Sequence, residues 1–532
     1  MIHRSPYPDP SVPRVLLWPY VAEHLACHAE RPALVDGVTG SVISYERLGA
    51  MVGSGAAGLA ASGIAPGNVV ALMSHNQPAW AVAFLAAVAA GAAVTPVNPL
   101  LTEAETANQL VQSGARVMIA ASPVADKAAA ACRAAGIAML LVIGAGFDDL
   151  LAHGGEAPLL TLDPATAVAA VPFSSGTTGI PKAVRLTHRN LVANLEQHRP
   201  AYRIGPGDTV CAAIPLFHIY GLTMVLNAAL RNGATVVTMP RYHLPAYLGI
   251  IATHRVTKLH LAPPMVLDLA LRPEVASHDL SSLRTAVCGA APLDPELGAR
   301  AGHRIGVPIG QGYGMTEASP GVTYVPEDLV AEAPAGSVGR LIAGTEARVV
   351  PVGMGDAASN SGEAWEADGT AGRIGELWVR GPQVVSVAGL GEGGFAVSPD
   401  GWFRTGDLVR VGPGGWWWVV DRLKELIKYK GYQVAPAELE ALLLSHPRIA
   451  DAAVAGIPDA RAGEVPAAWV VARQPVDADS LLRWVAERVA PHKRIREVRF
   501  IAAIPRSASG KILRRVLRAE AVAAASRGVG LR

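Results

Sequence analysis

The sequence predicts an α/β protein with a large N-terminal domain of several sheets packed with helices and a small α+β C-terminal domain. At 532 residues the chain is long enough to form more than one domain. Short β-branched runs alternate with Ala-rich helical stretches through the first four hundred residues. Such alternation is typical of largely parallel sheets with helices packed against them. Beyond residue 421 the pattern changes, which indicates a second domain.

The strands expected in the first part are short, mostly apolar runs. They are Val69–Met73, Ala92–Thr95, Val117–Ile119, Thr235–Thr238 and Lys258–Leu261.

The segment Trp80–Val97 carries no charge over 18 residues, close to the length of a membrane span. It is mostly alanine and contains Gly91 and Pro96. We therefore expect a buried helix that leads into a strand, and no transmembrane segment. The polar, proline-rich N-terminus resembles no export signal, so a cytoplasmic location is expected.

Net charge is +2 and charged residues make up 17% of the chain, which argues against nucleic acid as a partner. Cys27, Cys132, Cys211 and Cys288 lie far apart with no Cys-x-x-Cys pair. Their spacing predicts neither a zinc site nor a disulfide framework, and it suits a reducing compartment.

A polar break at Asp421–Glu425 separates two predicted domains, residues 1–421 and 422–532. Beyond it the pattern reads strand, helix, strand, strand, helix, strand. Just before it, Trp416–Trp418 would place Trp416 and Trp418 on one strand face and Trp417 on the other. Packing explains these rings more simply than stacking on a ligand.

A loop built for phosphate follows Phe173. Its nine residues comprise two glycines, four hydroxyls and a terminal lysine: Ser174, Ser175, Gly176, Thr177, Thr178, Gly179, Ile180, Pro181 and Lys182. Glycines let backbone N–H groups approach anionic oxygens, and the hydroxyls and the lysine add donors. The glycine spacing is not that of a Walker loop, which disfavours a P-loop kinase. A Ser/Thr-rich surface turn is the alternative.

Leu426–Gly431 reads as a strand, with Lys428 and Lys430 on one face and Gly431 permitting a turn. Two lysines on one face also suit a solvated edge strand.

The ordered set of motifs resembles the adenylate-forming acyl-CoA synthetases, most closely the 4-coumarate:CoA ligases. The matching segments are Ser174–Lys182, Leu216–Tyr220, Gly289–Leu293, Gly310–Ala318, Gly401–Asp407, Asp421–Glu440 and Ser507–Leu513. The resemblance implies a mobile C-terminal domain and a two-step reaction. A carboxylate attacks the α-phosphorus of Mg-ATP to give acyl-adenylate and pyrophosphate, and the thiol of coenzyme A then displaces AMP.

The resemblance also assigns roles to single residues. Lys511 is the cation that shields the α-phosphate. Asp407 and Arg422 contact the ribose, and Thr316 contacts the α-phosphate. Glu317 coordinates Mg²⁺. The remaining assignments are Gln311, Gly312 and Tyr313 at the adenine, Lys424 as the pivot between domains, and Lys428, Lys430 and Gly431 on the face that serves the thiol step.

For the acid site the resemblance implies His218, Tyr220, Gly289, Ala290, Gly314 and Met315, and it suggests that Arg241 meets a phosphate of CoA. Residues 214–222 contain no carboxylate, which favours an acid with an uncharged tail, aryl-propenoic or fatty. Two alternatives stay open: loading of the acyl group onto a carrier-protein phosphopantetheine, and a non-catalytic nucleotide-binding protein. The acid's identity and the oligomeric state are left undetermined.

Overall fold

The computed structural model describes residues 1–174, 181–351, 374–386, 397–398, 400–423, 425–430, 432–459, 462–507 and 510–526. The chain divides into two units. The large unit comprises Ile2–Ala347 and Val379–Phe403, and the small unit comprises Met1, Arg348–Trp378 and Arg404–Arg532. The domain boundary at residue 421 stays a prediction.

The α-helices of the described residues are numbered in chain order. They are α1 (Leu17–Ala22), α2 (Tyr45–Ala61), α3 (Pro78–Ala89), α4 (Glu103–Ser113), α5 (Ala125–Ala135), α6 (Gly146–Ala152), α7 (His188–His198), α8 (Ala228–Arg231), α9 (Leu244–His254), α10 (Pro263–Leu271), α11 (Pro295–Ile305), α12 (Pro436–Leu444), α13 (Ala478–Ala486) and α14 (Arg514–Ser526). A π-helical segment, Gly221–Asn227, runs directly into α8.

The strands up to residue 324 are β1 (His3–Arg4), β2 (Pro32–Asp36), β3 (Val42–Ser44), β4 (Val69–Met73), β5 (Ala93–Val97), β6 (Ala115–Ala121), β7 (Met139–Ile143), β8 (Val168–Ala170), β9 (Phe173–Ser174), β10 (Lys182–Ala183), β11 (Leu186–Thr187), β12 (Thr209–Ala212), β13 (Thr235–Thr238), β14 (Lys258–Leu261), β15 (Thr285–Cys288), β16 (Ile309–Gly314) and β17 (Gly321–Tyr324). The later strands are β18 (Arg340–Leu341), β19 (Glu346–Val350), β20 (Gly375–Arg380), β21 (Phe403–Val411), β22 (Trp417–Arg422), β23 (Ile427–Tyr429), β24 (Tyr432–Val434), β25 (Ile449–Asp459), β26 (Gly463–Ala472) and β27 (Glu497–Phe500). All five strands named from the sequence are confirmed.

Two mainly parallel sheets form the framework of the large unit. One has the strand order β11-β8-β5-β4-β6-β7, and the other β18-β17-β16-β15-β14-β12-β13-β2-β3. Consecutive parallel strands require crossover helices, which the Ala-rich stretches supply. The α/β prediction is therefore confirmed. In such sheets, ligands bind beyond the carboxyl ends of the strands.

The uncharged segment that begins at Trp80 lies in the core of the large unit. Trp80 to Ala89 are almost fully buried in α3, and the chain then enters β5 as predicted. Small residues permit close packing here, because a Cβ on Gly55 of α2 would lie 2.9 Å from the Cβ of Ala86. Among the described helices, none combines the length and apolar character needed to cross a bilayer.

The small unit contains the predicted strands and helices, with two differences: the first predicted strand is a pair, β23 and β24, and a further helix, α14, follows the last strand. Strands β24-β23-β26-β25 form one sheet, β27 pairs with β26, and α12, α13 and α14 complete the unit. One side of this sheet packs around Ile427, Leu439 and Leu481, and the other around Trp469 and Leu517. Both faces of the sheet are thereby covered.

The tryptophan run differs from the prediction. Strand β22 begins at Trp417, so Trp416 precedes the strand and does not follow its alternation. Trp416 and Trp417 are buried, whereas Trp418 is half-buried under the guanidinium of Arg410, 3.8 Å from the ring centroid. Burial of Trp416 and Trp417 and the contact of Trp418 with Arg410 are in keeping with a packing role.

Candidate active site

Both ends of the predicted phosphate loop are held by strand pairing. Ser174 ends β9 and lies directly opposite Lys182, the first residue of β10. The buried Ser174 Oγ has no hydrogen-bond partner in the described chain, so it can donate to a ligand. The predicted phosphate contacts Ser175, Gly176, Thr177, Thr178 and Gly179 lie outside the described residues.

Several predicted residues follow the carboxyl ends of neighbouring parallel strands. Gly289 comes directly after β15, and Gln311 and Gly312 lie in β16 beside it, with Cys288 opposite Gln311 in the register. A Cβ on Gly289 would lie 3.7 Å from the carbonyl oxygen of Gly312. Ala290 adopts a positive φ of 73°, a strained backbone conformation for any residue that has a Cβ atom. The sheet thus brings these residues together at one edge.

His218 and Tyr220 lie in the turn that leads from β12 into the π-helical segment. The backbone N–H of Tyr220 donates to Nδ1 of His218 at 3.3 Å, which orients the half-buried imidazole. The Tyr220 ring lies against Gly289, where a Cβ would be 3.4 Å from the ring. Two residues predicted for the acid site are therefore neighbours. π-Helical turns occur frequently at functional sites.

Asn76 positions the turn that carries His218, and the sequence analysis missed it. Its Nδ2 donates to the carbonyl oxygens of Ala212 at 2.6 Å and Ile214 at 2.9 Å. Its Oδ1 accepts the N–H of Leu216 at 2.8 Å. The side chain is 3% exposed, so these bonds form away from water. One amide thereby fastens the three backbone groups that precede His218.

His260 supports Tyr220 from inside the protein, and the sequence analysis did not single it out. The Tyr220 hydroxyl donates to the carbonyl of Val287 at 3.4 Å and lies 3.3 Å from Nδ1 of His260. The hydroxyl of Tyr202 lies 2.9 Å from Nε2 of His260. Burial lowers the pKa of His260 to about 3, so the ring is neutral. A consistent network has Tyr202 donating to Nε2 and Nδ1–H donating to Tyr220.

The segment from Tyr313 to Glu317 turns sharply at Gly314. A Cβ on Gly314 would lie 2.2 Å from the carbonyl oxygen of Pro320, so the approach requires glycine. Met315 follows in extended conformation and donates its N–H to that carbonyl at 2.8 Å. Thr316 and Glu317 then form a short 3₁₀ turn and are buried.

Glu317 fits a magnesium ligand. Its side chain is 7% exposed, yet its carboxylate makes no hydrogen bond or ion pair with any residue that the structure describes. A carboxylate that is largely shielded from water and has no counter-charge within the described chain is suited to bind a cation. Mg²⁺ commonly takes one or two protein carboxylates and completes its shell with phosphate oxygens and water.

Arg241 lies beyond β13, on the surface of the large unit. Its guanidinium is 3.2 Å from Nε2 of His75, which follows β4. Burial and the nearby positive charges of Arg241 and Lys127 lower the pKa of His75. The imidazole is therefore a neutral partner that leaves the charge of Arg241 intact.

Within the small unit the two predicted ribose contacts form an ion pair. Asp407 and Arg422 lie opposite each other in the β21–β22 register, with Arg422 Nε 2.7 Å from Asp407 Oδ1. Asp407 is 2% exposed, and Gly406 before it has a φ of 71°. The Arg422 guanidinium holds the Asp407 carboxylate in place through Nε.

Lys428 and Lys430 are both exposed, but only Lys428 lies within strand β23. Strand β23 ends at Tyr429, and Lys430 has a φ of 46° in the left-handed region. The predicted alternation therefore does not extend to Lys430. The pivot Lys424 and the turn residue Gly431 lie outside the described residues.

Lys511 follows a tight turn in the small unit. Gly510 has a φ of 84°, and the N–H of Ser507 donates to the carbonyl of Lys511 at 2.8 Å. The N–H of Lys511 donates back to Oγ of Ser507 at 3.1 Å. The predicted site residues thus form two sets, one in each unit.

Comparison with known proteins gives matches over nearly the whole chain. The model of the AMP-binding enzyme family matches residues 21–387, and that of the AMP-binding enzyme C-terminal domain matches residues 438–511. Among curated relatives, 4-coumarate--CoA ligase 5 of Oryza sativa subsp. japonica is 37% identical and the match covers 98% of both chains. 4-Coumarate--CoA ligase CCL1 of Humulus lupulus is 36% identical, with 98% of this chain and 97% of that chain covered.

Solved structures of similar fold also cover nearly the whole chain. ATP-bound MatB from Rhodopseudomonas palustris has a TM-score of 0.84 at 26% identity, covering 96% of this chain and 99% of that chain. A benzoate CoA ligase from Burkholderia xenovorans LB400 has a TM-score of 0.82 at 25% identity, covering 95% and 100%.

Proposed function

Because the chain belongs to the AMP-binding enzyme family, we propose that it is an AMP-forming carboxylic acid:CoA ligase that uses ATP, Mg²⁺ and coenzyme A. The observation that carries the proposal is similarity to 4-coumarate--CoA ligases over 98% of both chains. The substrate is an aryl-propenoic or fatty acid.

In the first step a carboxylate oxygen attacks the α-phosphorus of ATP and pyrophosphate leaves. Two anions must meet, so shielding of charge and fixed orientation supply most of the catalysis. Lys511 supplies a cation at the α-phosphate, and Thr316 donates a hydrogen bond there. Glu317 would hold Mg²⁺, which would supply positive charge to the phosphate oxygens.

The other nucleotide contacts follow from side-chain chemistry. The Asp407 carboxylate accepts hydrogen bonds from the ribose hydroxyls while Arg422 keeps it in position. The hydroxyl of Ser174, buried and unpartnered within the described chain, and the amine of Lys182 bind the departing pyrophosphate from the two ends of the phosphate loop.

In the second step the sulfur of CoA attacks the acyl carbon and AMP leaves as the acyl–phosphate bond breaks. The residues proposed for this step are Lys428, Lys430 and Gly431, brought to the adenylate by rotation about Lys424. Arg241, with neutral His75 beside it, is proposed to meet a CoA phosphate. One set of residues thus serves each half-reaction.

The acid site is proposed to include His218, Tyr220, Gly289 and Ala290. Gly289 places no side chain beside the Tyr220 ring, so this part of the proposed site is bounded by backbone and one aromatic ring, which suits an uncharged acid. The buried His260 supports the Tyr220 hydroxyl and so fixes the Tyr220 ring. A fixed ring selects among acids by their shape.

Loading of a carrier protein is the less favoured alternative, because the curated relatives named above are CoA ligases. A cytoplasmic location is also proposed, supported by four cysteines, none of which is paired in a disulfide.

The test is acid-dependent pyrophosphate release across cinnamic, benzoic and fatty acids, with and without CoA. We expect AMP and an acyl-CoA with at least one acid class, and loss of adenylation in Lys511→Ala. Arg515→Gln, an exposed cation four positions away, is the matched control. Absence of AMP with every acid, or full activity in Lys511→Ala, would refute the proposal.

A further inference from the structure

The turn that carries Lys511 is closed by backbone pairing. Arg506 and Ile512 form an antiparallel bridge, and the N–H of Gly510 donates to the carbonyl of Ser507 at 2.9 Å. The position of Lys511 therefore depends on what holds the two ends of this turn.

Arg506 holds the first end. Its Nη2 lies 2.8 and 3.0 Å from the two carboxylate oxygens of Asp451 in β25. Its Nη1 donates to the carbonyl of Gly510, the residue before Lys511, at 3.2 Å. A single guanidinium thus connects the turn to the central sheet of the small unit.

Arg514 holds the second end, as the first residue of α14. Its Nη2 lies 2.7 Å from both carboxylate oxygens of Glu440 in α12, and its Nε donates to the carbonyl of Val454 at 3.0 Å. Nη1 contacts the carboxylate of Glu425. The side chains of Arg514 and Glu440 are 14% and 11% exposed, so their two-pronged ion pair lies largely away from water.

The contact between Arg514 and Glu425 links the Lys511 turn to the segment beside the proposed pivot. Glu425 lies next to Lys424, the proposed pivot, so Arg514 joins the start of the moving part to the helix that follows Lys511. Charge-assisted bonds of this kind are short and directional. Movement at the pivot would thus carry the Lys511 turn with it rather than leave it behind.

We propose that Arg506 and Arg514 are positioning residues that fix the direction of the Lys511 amine for adenylation. This inference rests on the proposed role of Lys511. Lys428, in contrast, lies on β23, which is held by backbone pairing with β24 and β26 and by a bond from the Lys428 N–H to Glu464 at 2.9 Å. Loss of an arginine anchor should therefore affect the first half-reaction selectively.

The experiment measures the two half-reactions of the full-length enzyme separately, as acid-dependent pyrophosphate release and as thioester formation from added acyl-adenylate and CoA. The variants are Arg506→Gln and Arg514→Lys, with Arg515→Gln as control. We expect adenylation turnover to fall about 10- to 100-fold, because misplacing a catalytic group by about 1 Å has effects of this size. The KM for ATP and the thioester step should change less than about twofold.

The inference is overturned if both half-reactions fall equally, or if both arginine variants match the control. Arg506→Gln is the variant more certain to stay folded, because the ion pair of Arg506 with Asp451 is partly exposed. Thermal unfolding is recorded for each variant, so that a loss of activity can be separated from a loss of folding. In a Lys511→Ala background the arginine changes should add nothing, whereas additive losses would also contradict the inference. Full adenylation by Lys511→Ala alone would instead refute the proposed function.

Discussion

Replacing Asn76 by alanine should both weaken the large unit and slow the reaction. The change removes the amide that bonds to Ala212, Ile214 and Leu216. These partners lie 136 to 140 positions away in the sequence and precede His218 directly. The variant therefore tests whether one buried side chain positions the acid-site turn.

The expected magnitude follows from the three bonds. A buried backbone group that loses its partner costs about 1–3 kcal/mol. At the low end for each group, Asn76→Ala should lower the free energy of unfolding by about 3 kcal/mol. If the turn relaxes by about 1 Å, kcat/KM for the acid should fall by up to about 100-fold.

Urea unfolding and steady-state pyrophosphate release measure the two effects. Asn68→Ala is the matched control, because Asn68 precedes the same strand, β4, and accepts one bond, from the Ala65 N–H at 3.1 Å. We expect the control to lose less than about 1 kcal/mol and to keep its activity. An Asn76→Ala variant indistinguishable from this control would refute the reasoning.

Three further outcomes are expected. Glu317→Gln should raise the Mg²⁺ concentration needed for half-maximal pyrophosphate release about tenfold or more, because an amide replaces the anionic ligand. Urea unfolding should show a constant stability above about pH 7.5, which then falls by about 2 kcal/mol per group between pH 7 and 5. Burial lowers the pKa of His188 and His198 to about 4 and that of His260 to about 3, whereas in the unfolded chain all three bind protons near pH 6.5. Gly289→Ala should keep its stability, since the new methyl meets the facing ring at an ordinary 3.4 Å, and it should lower kcat/KM for ring-bearing acids about tenfold relative to short aliphatic acids, measured by competition.

Each of these expectations has an opposing result. An unchanged Mg²⁺ requirement would remove Glu317 from the metal site. A stability that does not change between pH 7 and 5 would mean that the three histidines titrate equally in the folded and unfolded chain. Equal losses for both acid classes in Gly289→Ala would place the acid elsewhere.

Much of the fold was predictable, because local patterns specify it. The helix and strand in the segment from Trp80 to Val97 were predicted from composition alone. Most of the order of elements after residue 421 was predicted too, except for β24 and the last helix, α14. Motif residues such as Asp407 and Arg422 were singled out separately, yet their ion pair depends on the β21–β22 register. Backbone conformation was the weak point, since nothing in the sequence indicated the positive φ of Lys430.

The supporting residues were not predictable from local patterns. Asn76 and His260 act through partners distant in the sequence, and nothing in their immediate neighbourhood marks them. Arg514 is similar, because Glu425 lies 89 positions before it. A single sequence displays reactive side chains within motifs, whereas the groups that hold them become visible only when the chain is folded.

The bond from the Tyr220 N–H to Nδ1 of His218 ties the direction of that imidazole to its own backbone turn. The same turn is held by Asn76 through the carbonyl oxygens of Ala212 and Ile214. A change in this buried amide would therefore be passed on to the His218 ring through the main chain. We expect substitutions at position 76 to alter which acids are accepted, although the residue is not itself proposed to contact the acid.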